Sequence, residues 1–229
     1  MLPWEGEIWD EERWEAYLKA RRRQIDRLLE DYFAFTRYDP YPEHALPDQV
    51  QAWRQRLRSF LEARGWSQAA IQGLLRAREA GWPFEEEGIG EGESEAEETL
   101  IPEAEACRAL MAQARALANA VLEWANRLPG TLKTSALVHF CTCLAQIPLE
   151  LAEGHMLGYE RETLGGNIVC ARHALITANR ALATLAELRL APYMTAHRYR
   201  TLYEEVYELR NALALHVQRL RTRFQVGLD

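Results

Sequence analysis

Residues 201–220, TLYEEVYELRNALALHVQRL, decide the fold. Leu202, Val206, Leu209, Leu213 and Val217 recur at steps of three and four, the spacing that lines one side of an α-helix. Glu204, Glu205 and Glu208 fall between them and suit a solvated face. Thr195 is placed to cap this helix at its start, and the pattern persists to about Phe224.

The same spacing extends upstream in three more segments, over residues 103–128, 131–153 and 160–190. Pro129-Gly130 closes the first, Gly154 is expected to stop the second, and Ala191-Pro192 ends the third. Connections this short make successive helices antiparallel neighbours. No stretch alternates with period two over a useful length. The expected fold is all-α, with an antiparallel up-down four-helix bundle over residues 103–229.

The front of the chain is organised differently. Helical spacing over residues 8–38 ends at Asp39-Pro40-Tyr41-Pro42, where a helix cannot continue. Pro47-Asp48 opens a second helix closed by Gly65, and Ser67 caps a third that Gly81-Trp82-Pro83 stops. Residues 1–83 therefore read as an acidic, tryptophan-rich three-helix unit. Residues 84–102 read as a flexible acidic linker, because EEEGIGEGESEAEE, residues 85–98 within them, has almost no apolar content and one sign of charge.

Charge follows the same division. Residues 1–106 hold 13 Lys+Arg against 24 Asp+Glu, and residues 107–229 hold 14 against 10. The front is acidic and the back mildly basic, which points to different partners for the two halves. Among basic residues only Lys19 and Lys133 are lysine. In the back, Arg161, Arg172 and Arg180 lie along the third bundle helix, and Arg198, Arg200, Arg210, Arg219, Arg221 and Arg223 along the fourth. They form a candidate phosphate-gripping surface. The competing reading is a solvated face balanced by Glu204, Glu205 and Glu208.

No apolar run approaches the roughly 20 residues that span a bilayer, and the acidic start lacks the pattern of a signal peptide. Cys107, Cys141, Cys143 and Cys170 are too far apart for a secreted disulfide scaffold. A reduced, cytoplasmic protein without a membrane partner is the expectation.

The string AQIPLELAEG, residues 145–154, places Pro148 deep in a helix whose flanking periodicity is intact. Ile147-Pro148 followed by Ala152-Glu153-Gly154 resembles the four-helix-bundle proteins of ribosomal RNA intervening sequences. An Ala- and Leu-rich third helix, a break before Tyr193, then Met194-Thr195 and a fourth helix with Tyr199 and Leu202 follow that family's layout. The resemblance covers about the last 125 residues. It implies a non-enzymatic homopentamer. One branch, the accessory variability determinants of diversity-generating retroelements, implies a reverse transcriptase and its template RNA as partners. Family members are usually a bare bundle, so the long acidic front is a departure.

Other residue constellations carry less. His139 and Cys143 are four apart, Cys170 and His173 three apart, each pair on one helix face. A turn centred near residue 157 would bring the four together as a tetrahedral zinc set. Buried cysteines acting as small apolar residues are the competing reading, and no metal or other cofactor is expected. His139-x-Cys141 lacks an orienting loop and oxyanion donors, and Glu150 with Glu153 lacks the Glu-x-x-His partner of di-iron bundles. No catalytic residues are expected. Trp14, Trp53 and Trp66 suit the core of the front unit. Trp4 and Trp9, near an acidic terminus, suit docking onto another protein. The resulting expectation is an oligomeric accessory protein that binds RNA or DNA and a partner protein. The alternative is a protein–protein scaffold without nucleic acid.

Overall fold

A computed structural model describes residues 7–42, 46–79 and 101–226. They are all-helical, with no strand among them. The helices are α1 (Glu11–Tyr38), α2 (Pro47–Ala63), α3 (Gln68–Glu79), α4 (Pro102–Asn126), α5 (Ser135–Leu157), α6 (Arg161–Leu188) and α7 (Ala196–Val226). A 3-10 turn, Gly130–Leu132, links α4 to α5.

The chain separates into two compact units. The described residues of 17–92 make one, and those of 1–16 with those of 93–229 make the other. The first turn and a half of α1 thus belongs with the back of the chain, not with a unit spanning residues 1–83. The expected linker lies almost wholly outside the described residues, as does the Gly81-Trp82-Pro83 stop.

In the smaller unit Tyr32, Phe35, Trp53, Leu57, Leu61 and Ile71 form the core. Both indoles there are satisfied: Trp53 Nε1 donates to the Asp39 carbonyl at 2.8 Å and Trp66 Nε1 to Asp31 at 2.8 Å. Gly65, at φ +84°, ends α2. The Trp66 N–H reaches the Leu61 carbonyl and the Gly65 N–H that of Glu62, a Schellman closure that only glycine adopts without strain.

In the larger unit α4 packs on α5 and α7, α5 on α6, and α6 on α7. One continuous core includes Phe140, Ile147, Leu151, Ile168, Leu209 and Leu213. The α6 side of that core is built from Ala171, Ala174, Ala178 and Ala181, whose small side chains let neighbouring helices approach closely. Thr195 caps α7 as expected, accepting from the Arg198 N–H at 3.2 Å, and Thr134 caps α5 the same way.

α5 does not stop at Gly154. It runs through Pro148 and Gly154 to Leu157, and Gly158 at φ +101° terminates it. Gly154 is small for packing, not for chain reversal: a Cβ there would lie 2.9 Å from Asn167 Oδ1 and 3.0 Å from Cys170 Cβ. α5 is also the one helix, among the described residues, long and apolar enough to cross a membrane by length and composition. Phe140, Leu144, Ile147 and Leu151 on it are buried in the core.

Candidate surface on the last two helices

The extended α5 sets the geometry of the expected metal cluster. Glu150 faces His173 and Gly154 faces Cys170, so the turn centres near residue 162 instead of 157. His139 and Cys143 consequently slide past their intended partners. His139 lines a shallow groove with Arg180, Thr184 and Glu187, and His173 is committed to carboxylates. No group of three or more His, Cys, Asp or Glu that could hold a metal occurs among the described residues. The zinc reading of His139, Cys143, Cys170 and His173 is corrected on this geometry. Burial raises the thiol pKa of Cys107, Cys141 and Cys143, which keeps them as protonated, apolar core groups.

Trp9 is also relocated. It is only 5 % exposed, packed against Trp14 with ring centroids 5.2 Å apart. The pair sits on Gly165 and Gly166 of α6, where added Cβ atoms would come within 2.7 and 2.8 Å of the Trp14 ring. Trp9 therefore anchors the chain to itself and does not present an exposed docking residue. Trp14, expected in the front core, belongs to this same contact. Trp4 lies outside the described residues.

Two glutamates one turn apart on α1 complete the anchor. Glu11 accepts from Arg221 at 2.9 and 2.8 Å and from Arg172 at 3.4 Å. Glu15 accepts from Arg172 at 2.7 Å and meets His173 Nε2 at 2.8 Å. His173 Nδ1 lies 3.7 Å from Glu150. Contact with Glu150, then the charge of Glu15, raises the His173 pKa against the opposing effect of burial. Burial pushes the Glu15 pKa up, but the Arg172 hydrogen bond and the His173 charge outweigh it and hold the group below the usual carboxylate range.

The arginines expected to form one stripe divide between faces, because 3.6 residues per turn carries positions 198, 210, 219 and 223 around the helix. Arg223 turns to Glu103 of α4 at 3.1 Å, and Arg198 lies 4.8 Å above the Trp124 ring of α4. Arg172 and Arg221 sit in the seam between α6 and α7, held by Glu11. Arg210 reaches Asn179 across the same seam at 3.1 Å. Arg161, Arg180, Arg200 and Arg219 are exposed. Three of the expected phosphate-binding arginines, Arg172, Arg221 and Arg223, are thus already neutralised within the chain.

Sequence reasoning missed a further feature of this seam. Tyr199, Tyr203 and Tyr207 stack along α7, with centroids 6.2 and 5.9 Å apart and planes inclined by 26° and 9°. Their four-residue spacing was the available signal. In the smaller unit Arg54, Arg58 and Arg76 line a shallow polar groove with Gln51, Gln55 and Gln72, while Arg56 is bound by Asp39 at 2.6 Å.

Compared with protein-family models, with curated proteins and with solved structures, the chain matches none.

Proposed function

We propose that this chain is a non-enzymatic accessory protein that binds RNA or DNA through the α6–α7 surface, built as an antiparallel up-down four-helix bundle that self-associates. The observation that carries the reading is the convergence of Arg172 and Arg221 on Glu11, an oxyanion site that the chain's own carboxylate fills and that a backbone phosphate would take over from it. Guanidinium groups from two helices converge on a single oxyanion, and a backbone phosphate presents the same fork-matching oxygens. Arg200 on α7 adds exposed positive charge for a longer polyanion, whereas Arg219, two residues before Arg221, points to the opposite side of the helix.

Self-association is supported by the outer row of α5. Val138, Leu149 and Met156 fall on one helix face and are all exposed, Met156 by 86 %. The resemblance of residues 145–154 to the intervening-sequence family supports a pentamer, with a reverse transcriptase of a diversity-generating retroelement as protein partner. The same α5 row favours the second reading, a scaffold that contacts proteins alone.

A salt-titrated gel shift of the purified chain with RNA separates the two. Binding at low salt that falls steeply as salt rises supports the phosphate grip. No shift at low salt leaves the scaffold.

A further inference from the structure

We infer that the tyrosine ladder Tyr199–Tyr203–Tyr207 is a base-stacking strip that makes single-stranded nucleic acid the ligand of the α6–α7 seam. The inference rests on the nucleic-acid reading above and specifies it.

Residues four apart on a helix advance about 40° around it, so the three rings stay on one face and climb it together. Tyr203 is 41 % and Tyr207 45 % exposed, and the two rings are nearly parallel. A ring that only filled core would be covered. Tyr203 and Tyr207 stack on each other and still present aromatic surface to solvent in a row. Base rings are flat partners for such a row, and stacking on them is indifferent to base identity.

Cations mark the same face. Arg189 lies 5.7 Å over the Tyr199 ring at one end of the ladder. At the other end Arg210 bridges to Asn179, and beyond it come Arg172 and Arg221 under the Glu11 carboxylate. The seam from Tyr199 to Arg221 spans 22 residues of helix, about 33 Å. Aromatics lie at one end with the Arg189 and Arg210 guanidinium groups beside them, and at the other end Arg172 and Arg221 hold an oxyanion that a phosphate would take over from Glu11. A single strand needs both, stacking for its unpaired bases and guanidinium groups for its phosphates. A duplex hides its base faces and could use only the arginines. Glu204 and Glu208 lie about 100–140° further round α7 from Tyr203, on the side away from α6. They border the strip without crossing it.

The test uses the full chain and fluorescence anisotropy with a labelled 20-nucleotide oligouridine and an RNA duplex of equal length. The expected result is tighter binding of the single strand. The Y203A/Y207A chain should lose about fivefold to a hundredfold in single-strand affinity. Duplex affinity and the salt slope should be unchanged, and Y203F/Y207F should bind like the native chain. Native single-strand affinity in Y203A/Y207A, with salt-dependent binding intact, would overturn the ladder and leave the phosphate grip standing. Equal losses on both probes would do the same. A change in sedimentation of Y203A/Y207A would reassign the ladder to contact between copies. No binding of either probe at low salt would remove the nucleic-acid reading and the strip with it.

Discussion

Replacing Gly165 with alanine should cost stability in the native chain and lose that cost when Trp14 is absent. Gly165 lies inside α6, where alanine is favoured over glycine by about 1 kcal/mol. In the native chain the new Cβ would sit 2.7 Å from Trp14 Cδ1 and 2.7 Å from the Trp9 carbonyl oxygen. Ordinary contact begins near 3.4 Å, so a fully buried indole and a stretch of backbone must both retreat. Overpacking of this kind costs about 1–3 kcal/mol, and two stiff neighbours place it near 2. Gly165→Ala should therefore destabilise the native chain by about 1 kcal/mol. In a Trp14→Ala background the ring is gone and only the Trp9 carbonyl oxygen still crowds the new Cβ, so about 1 kcal/mol of overpacking is left to offset the helix preference, and the substitution should be near neutral, a coupling of about 1 kcal/mol. Urea unfolding followed by far-ultraviolet circular dichroism on the four chains measures it. Equal effects of Gly165→Ala in both backgrounds would refute the docking of residues 7–16 on α6.

Other outcomes follow from the same contacts. His216 is 1 % exposed, with no hydrogen-bond partner for either ring nitrogen among the described residues. Burial, aided by the Arg219 charge and opposed by Glu103, lowers its pKa from 6.5 to about 4. The unfolded chain therefore takes up the proton first as pH falls. About 3 kcal/mol of stability, present above pH 6.5, should drain away towards pH 4, and His216→Leu should remove that part of the acid loss in pH-dependent urea titrations. His173 has the opposite sign: its raised pKa means that its contribution is full below pH 6.5 and lost as pH rises through the folded value. Protection of residues 11–16 against hydrogen exchange, measured relative to the intrinsic base-catalysed rate at each pH, should accordingly fall on the alkaline side, and His173→Gln should flatten that dependence. Glu11→Gln frees Arg221 from its carboxylate, while Glu15 still holds Arg172 at 2.7 Å, and should tighten RNA binding at low salt several-fold, with a steeper salt slope. Unchanged anisotropy titrations would speak against phosphate at that pair.

The core of the larger unit was legible because its stripes are simple: Leu202, Val206, Leu209 and Leu213 are all buried where their spacing put them. Thr195 and Gly65 were legible as helix ends because each acts within one turn of chain. Gly154 was not, since glycine for termination and glycine for close packing look alike until the opposing helix is known. That one misreading displaced the α5–α6 register and created the apparent zinc set. The docking of Trp9 and Trp14 was hidden because it joins positions about 150 residues apart. A trace was present nonetheless. Gly165-Gly166 in mid-helix costs about 1 kcal/mol per residue against alanine, and such a notch implies something lying in it. Pairing of Arg172 and Arg221 with Glu11 is likewise long-range, so charge counts alone overstated the free basic surface.

Ultraviolet crosslinking of the native chain to single-stranded RNA at low salt, with the modified peptides mapped by mass spectrometry, tests the account most directly. Crosslinks at Tyr199, Tyr203 or Tyr207, lost on raising salt, are the result expected of a strand lying in the α6–α7 seam. Crosslinks confined to the groove of Arg54, Arg58 and Arg76, or to the outer face of α5, would contradict it.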